Sequence, residues 1–348
     1  MEKIWLKQYP EYIPEFIDES TLKPLNQMIE EANKKFASNV AFSCMGKSLT
    51  YQETKDLSDK LASYFINNLN LAKGSKVALM MPNILQYPVC LHAALKAGLT
   101  VVNVNPLYTP RELEHQLNDS EASTIIILEN FAHVFEKVQD KTPIKNVIIT
   151  SLADLLPSPK RQLIHFVVRY LKKMVPKYSL NNSVEFLETL KIGSQKSFVP
   201  PKVSLSDIAF LQYTGGTTGV SKGAVLTHRN ISANISQAKA WIGKNLKEGR
   251  ESIVTALPLY HIFSLTANCL TFMSLGAHNI LITNPRDIKG FIKILKNSSF
   301  SVITGVNTLF NALLNADGFD TIDFSKLKVT LGGGMAVQKA VAKNVTMR

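Results

Sequence analysis

The chain has 348 residues, 45% of them hydrophobic, which is enough for two or more packed units sharing a large core and too much for one small domain. Its three cysteines, Cys44, Cys90 and Cys269, lie far apart with no C-x-x-C, which argues against a disulfide framework or zinc site and fits a reducing compartment. The net charge of +12 admits nucleic acid, an anionic membrane surface or polyanionic small substrates; no stretch interleaves aromatics with arginines, so no nucleic-acid partner is expected.

No basic region followed by an apolar run opens the chain, so no secretory signal is expected. The pattern predicts a helix over 21–35, with Pro24 in its first turn, and another over 52–67, where Leu57, Leu61, Tyr64 and Phe65 recur at the spacing of a buried face. Residues 76–81, 99–103 and 123–128 read as buried strands, with helices over 87–97 and 111–118 between them. That β-α-β-α-β order implies a parallel sheet covered on both faces. A short apolar strand, 208–212, leads into a glycine-rich loop, and a helix over 230–240 with Asn230 as its cap follows. Strands at 252–256, 279–282, 301–304 and 328–331 alternate with helices at 265–274, 287–296 and 308–315, a second α/β layer.

The expected fold class is therefore α/β: an N-terminal helical segment (1–70) packing on the second subdomain, a first α/β subdomain (71–200) and a second (201–348). Between Ser252 and Pro285 there is no Asp, Glu, Lys or Arg. Pro258, His261, Asn268, Gly276 and Asn279 interrupt the stretch and its period changes, so it reads as interior wall, with a membrane span as the alternative.

The loop at 213–223 reads Tyr-Thr-Gly-Gly-Thr-Thr-Gly-Val-Ser-Lys-Gly. Gly215, Gly216 and Gly219 let the backbone approach a ligand and expose N–H groups to an anion. Thr214, Thr217, Thr218 and Ser221 add hydroxyl donors, and Lys222 a positive charge, the parts of a triphosphate cradle. A Walker loop would need a hydroxyl residue after the lysine, where Gly223 stands, and a dinucleotide fingerprint is only half present. A flexible Gly/Thr surface turn is the plain alternative.

The loop resembles the phosphate-binding signature of the acyl-adenylate-forming enzymes, which include the acyl-CoA synthetases, the luciferases and the adenylation domains of peptide synthetases. Leu49-Thr50-Tyr51-Gln52-Glu53, Met81-Pro82-Asn83, Asn105-Pro106 and Leu257-Pro258-Leu259-Tyr260-His261-Ile262-Phe263 resemble further elements of that family. Gln86-Tyr87-Pro88, the run 101–119 and Ile282-Thr283-Asn284-Pro285-Arg286-Asp287 look most like bacterial long-chain fatty acid CoA ligases.

The resemblance implies two N-terminal α/β subdomains and a two-step reaction using ATP, magnesium and coenzyme A on a fatty acid. It implies Tyr213 to Gly219, Ser221 and Lys222 on the phosphates, with Thr214, Lys222 and His261 in catalysis and Thr217 toward magnesium. Tyr260, His261, Phe263, Gly305 and Val306 would line the acyl pocket, and Gly332, Gly333 and Gly334 would approach the adenylate. Without the resemblance, His261 reads as a satisfied core histidine and the glycine triplet as a linker. A P-loop hydrolase is kept as a contrasting class.

In the 161–177 segment, Leu163, Val167, Tyr170, Leu171 and Met174 share one helical face, and Arg161, His165, Arg169 and Lys172 another. This suits a helix lying on an anionic bilayer, or an amphipathic helix packed on the protein. The first choice places the protein in the cytoplasm, peripherally on the inner face of the membrane. The chain stops at Arg348, before the Gly-Tyr-Gly-Leu-Thr-Glu segment and mobile C-terminal lid domain that the resemblance implies. It is read as a truncated form, expected to make no acyl-CoA alone: either a ligase completed by a separately encoded C-terminal half, or a non-catalytic remnant that binds nucleotide, lipid or membrane, with a homodimer as the other partner considered.

Overall fold

The computed structural model describes residues 3–215 and 220–346, with side chains described as far as Lys343. Helix α1 (Leu25–Lys35) starts later than expected: Pro24 precedes it as the N-cap, and 19–21 form a separate short turn of helix. Strands β1 (Val40–Cys44) and β2 (Lys47–Thr50) then form a hairpin absent from the sequence reading. Its turn carries Met45 and Gly46 at φ +52° and +76°, the geometry that suits the right-handed twist of paired strands. Thr50 caps helix α2 (Tyr51–Asn67): its hydroxyl accepts from the Glu53 N–H while the Glu53 carboxylate accepts from the Thr50 N–H. The Thr-Tyr-x-Glu element is thus a capping box.

The first sheet contains β3 (Lys76–Met80), β4 (Thr100–Asn103), β5 (Thr124–Leu128), β6 (Asn146–Thr150), β7 (Ser183–Glu185), β8 (Ile208–Thr214) and β9 (Lys222–Thr227). Its order is β7-β6-β5-β3-β4-β8-β9, parallel except for β9, which returns antiparallel to β8. Every residue of β5 is buried, as a strand covered on both faces requires. Helix α3 (Gln86–Lys96), buried along its whole length, packs on α2, and helix α4 (Pro110–Asp119) opens with a second capping box, Thr109 with Glu112.

The second sheet adds β10 (Ser252–Thr255), β11 (His278–Leu281), β12 (Val302–Gly305) and β13 (Val329–Gly332), in the order β13-β12-β10-β11-β1-β2. Its pairings are parallel apart from the β1–β2 hairpin. One apolar cluster joins the two sheets, from Phe65, Val77 and Leu91 to Phe42, Leu259 and Leu281. The expected boundary at residue 200 does not separate the sheets: 208–227 belong to the first and 40–50 to the second. A strand, β9, rather than a helix follows the glycine loop, and in the helix His228–Ile242 Thr227 is the cap, with Asn230 its reciprocal partner. Among the described residues no helix is long and apolar enough to cross a membrane, and 252–285 fold as strand, helix and strand of the interior.

Candidate functional site

The parallel strands of both sheets carry the singled-out residues at their C-terminal ends, where open α/β sheets place ligands. β8 ends at Thr214, which is exposed, and Gly215 has open space on its side-chain face. Thr214 is cross-strand from Lys222, and Tyr213 from Gly223. Lys222 is exposed and makes no ion pair among the described residues, so its charge is available to an anion. Ser221 stands beside it, half-buried. Gly216, Thr217, Thr218 and Gly219, and with Thr217 the expected metal contact, lie outside the described residues.

Tyr213 takes a supporting place. Its side chain is buried, its hydroxyl donates to Asp119 Oδ2 at 2.5 Å, and burial pushes the phenol well above its ordinary range. Its ring lies across Gly223, where an added Cβ would sit 2.9 Å from the ring. Gly223 is therefore required by the packing of Tyr213.

β10 leads into 256–264, the second motif. Asn83, buried just after Pro82, holds this segment from below: its Nδ2 donates to the carbonyls of Thr255 (3.0 Å) and Leu257 (2.9 Å), and its Oδ1 accepts from the Leu259 N–H (2.8 Å). Tyr87 donates to Asn103 Oδ1 (2.7 Å) and lies 2.8 Å from the Leu259 carbonyl. Asn103 Nδ2 then donates to Gln212 Oε1 (3.1 Å), and Gln212 Nε2 to the Tyr260 carbonyl (3.0 Å). One buried polar chain thus links the strand under the phosphate motif to the backbone of Tyr260. Sequence reasoning covered Asn83, Tyr87 and Asn103 in segments that carry the resemblance and Gln212 in a strand, but gave none of the four a role. The usable signal was their polarity inside otherwise apolar, fully buried elements, which demands partners.

Tyr260 is half-buried; burial raises its phenol against an opposing pull from Arg286. His261 is exposed and caps the next helical turn, Nδ1 accepting from the Phe263 N–H at 3.3 Å. Nδ1 accepts only if unprotonated, which leaves the ring hydrogen on Nε2 as an outward donor. The core-histidine alternative is excluded by that exposure. Phe263 reaches the glycine triplet, where a Cβ on Gly333 would sit 2.5 Å from its ring. Gly305 is registered against Gly332, the Gly333 N–H donates to the Gly305 carbonyl at 3.1 Å, and Gly334, at φ +77°, faces Val306. Phe263, Gly305, Val306 and Gly332 to Gly334 therefore form one wall, and the triplet ends a strand instead of acting as a linker.

A cleft of about 470 Å³ between α1, α2 and α3 contains none of these residues; its Lys55 and Lys96 are paired with Glu30 and Asp59, leaving no free charge for a ligand. The surface segment is helical over Lys160–Phe166 and continues through Val167–Leu171. Leu163, Phe166, Tyr170, Leu171 and Met174 are all more than half exposed, while Val168 points inward. His165 and Arg169 do not present charge outward as expected: His165 bonds Ser151 (2.8 Å) and Arg169 pairs with the buried carboxylate of Glu129.

The AMP-binding enzyme family matches residues 29–348 of this chain. A long-chain-fatty-acid–CoA ligase of Yersinia pestis is 54% identical over 99% of the chain, and one of Bacillus subtilis 33% identical over 97%. The chain spans 61% and 59% of the length of these two relatives. Among solved structures, a long-chain-fatty-acid-CoA ligase from Archaeoglobus fulgidus superposes with a TM-score of 0.75 at 26% identity, covering 97% of this chain and 61% of that one. An anthranilate CoA ligase in complex with anthranoyl-AMP, at 16% identity and a TM-score of 0.79 over 95% of this chain and 59% of its own, shares the fold. With a family model covering most of its length and relatives above half identity, the chain belongs to the AMP-binding enzyme family.

Proposed function

We propose that the protein activates long-chain fatty acids as CoA thioesters, and that this chain supplies the phosphate grip and the acyl-facing wall. In the first step a fatty acid carboxylate attacks the α-phosphorus of ATP and pyrophosphate leaves. In the second the thiol sulfur of coenzyme A attacks the acyl carbonyl, its proton is lost and AMP leaves. The observation that carries this reading is the buried chain from Gln212, two residues before Thr214, to the backbone of Tyr260, because it sets the phosphate motif and the second motif in one fixed relation.

Lys222 and the Thr214 hydroxyl face the leaving pyrophosphate, where preorganised donors stabilise charge without covalent chemistry. Magnesium enters with the triphosphate, since this cation is commonly held by substrate phosphates and waters with few protein ligands. His261 offers its Nε2 hydrogen near the acyl carbonyl, and Tyr260, Phe263, Gly305 and Val306 flank the acyl chain. Gly332 to Gly334 bring the end of β13 toward the adenylate, and the missing side chains of Gly332 and Gly333 let Val337 and Phe263 pack closely behind that edge. Each buried methylene of the acyl chain contributes about 0.8 kcal/mol, so affinity rises with length until the pocket ends. Calorimetric titration with a non-hydrolysable oleoyl-adenylate tests this: binding at least tenfold tighter than the acetyl counterpart supports it, and equal affinity contradicts it.

The exposed face of Leu163, Phe166, Tyr170, Leu171 and Met174, with Lys172, Lys173 and Lys177 beside it, fits an anionic lipid surface from which the fatty acid is drawn. Contiguous exposed apolar residues need a partner, and the neighbouring lysines select a negative one. Co-sedimentation with phosphatidylglycerol vesicles should fall when Leu163, Tyr170 and Leu171 become serine, or Lys172 and Lys173 become glutamate. Unchanged sedimentation of both variants would remove the lipid surface from this reading.

A further inference from the structure

Helix α4 carries His115 and Asp119 one turn apart, and their side chains end on opposite flanks of the glycine-rich motif. Asp119 receives the Tyr213 hydroxyl on the ascending strand at 2.5 Å, while His115 Nε2 lies 2.9 Å from the Ser221 carbonyl on the descending side. A carbonyl oxygen only accepts, so His115 must hold its hydrogen on Nε2. β9 is an edge strand with β8 as its single sheet neighbour among the described residues, and His115 adds a side-chain hydrogen bond to the descending flank from outside the hairpin.

The helix is itself well anchored. Its capping box fixes the start, Leu113 and Leu117 are fully buried, Gln116 Nε2 donates to the Asn103 carbonyl (2.8 Å) and Asn118 Nδ2 to the Lys141 carbonyl (2.9 Å). The Gln116 bond ties α4 to the same residue, Asn103, that passes the polar chain on to Gln212 and Tyr260.

We propose that His115 and Asp119 are positioning residues for the phosphate grip, with α4 acting as a splint that fixes the separation of the two flanks. Thr214 and Lys222 then face the ligand at one spacing in the free protein, and no binding energy goes into ordering the hairpin. The proposal rests on the reading of the motif as a phosphate site. Neither residue belongs to the motif, and neither touches the ligand.

The test measures amide hydrogen exchange across 208–227 in the ligand-free full chain, together with affinity for magnesium pyrophosphate. In His115→Ala, exchange over 222–227 should rise about three- to tenfold, the range of one net hydrogen bond, and pyrophosphate should bind more weakly by a similar factor. The thermal midpoint should hardly move. His115→Gln, which keeps an N–H donor, should restore both readouts, and Asp119→Asn, which keeps an acceptor for Tyr213, should stay near wild type where Asp119→Ala does not. Unchanged exchange and affinity in His115→Ala, or a glutamine variant as impaired as the alanine one, would overturn the proposal. Wild-type protein that binds no pyrophosphate would overturn the phosphate reading, and the exchange arm would still decide whether α4 holds the hairpin.

Discussion

Replacing Asn83 with alanine tests how firmly the second motif is held. Three hydrogen bonds go at once, but their loss is unequal. The Thr255 carbonyl keeps the Ile282 N–H at 3.0 Å, and the Leu257 carbonyl keeps the Ser264 hydroxyl at 2.8 Å. The Leu259 N–H has no second partner among the described residues and becomes a buried orphan donor. An orphan costs about 1–3 kcal/mol, and the weakened bonds to the two carbonyls add about 1 kcal/mol, for a total of roughly 2–4 kcal/mol. With an unfolding entropy of about 2.1 cal/mol/K per residue over 348 residues, each kcal/mol shifts the thermal midpoint by about 1.4 °C, so the fall should be about 3–6 °C. Scanning calorimetry of the wild type, Asn83→Ala and a control at the exposed Gln195, Gln195→Ala, measures it. A midpoint within 1 °C of the control would refute the claim that Asn83 is the peg for 255–259. Affinity for the oleoyl-adenylate should fall further than stability alone explains, because Tyr260 and His261 hang from the same segment.

Gly333→Ala places a Cβ 2.5 Å from the Phe263 ring, so acyl-adenylate affinity should drop about tenfold or more and recover partly in the Gly333→Ala/Phe263→Ala double variant; calorimetric titration reads both. Arg169→Ala leaves the Glu129 carboxylate buried without its cation. The cost should be about 1–3 kcal/mol, below that of a fully buried pair because Arg169 is 40% exposed, and Glu129→Gln in the same chain should recover much of it in denaturant titrations. His228 is buried with Nδ1 accepting the Leu25 N–H, and burial lowers its pKa from 6.5 to about 4. Because the folded value lies below the unfolded one, its contribution is present above pH 6.5 and is lost as pH falls toward 4. His228→Gln should therefore show a shallower decline of unfolding free energy between pH 6.5 and 4, and an unaltered slope would exclude His228 as its source.

Much of the fold could be read from local pattern, because fully buried parallel strands such as β4 and β5 and capped helices such as α2 are specified by their own residues. What was missed depended on distant partners. β9 is half exposed and begins Lys-Gly-Ala, so it reads as the tail of a loop until Gly223 is seen beneath the Tyr213 ring. β1 pairs with β11, more than two hundred residues away, and no local period announces such a pairing.

The candidate site divides the same way. Thr214, Lys222 and His261 were found as exposed chemistry within motifs. Asn103, His115 and Asp119 lie in the run 101–119 and Gln212 in a strand, but their hydrogen-bond partners about a hundred residues away gave no local sign of what they hold. The amphipathic period of 161–177 was legible, but not which side faced the protein: Val168 turns inward, His165 and Arg169 are tied to Ser151 and Glu129, and the apolar stripe turns out.

The central claim is that the strand ends of both sheets form one site that grips phosphate at 214–222 and an acyl-adenylate at 260–263, 305–306 and 332–334. Hydrogen exchange of the full chain with saturating oleoyl-adenylate analogue tests it most directly. The account predicts simultaneous protection of 208–227, 257–263 and 302–306, with none at the cleft lined by Asn26, Lys55 and Lys96. Saturating binding that leaves those three segments exchanging at their free rates would contradict it.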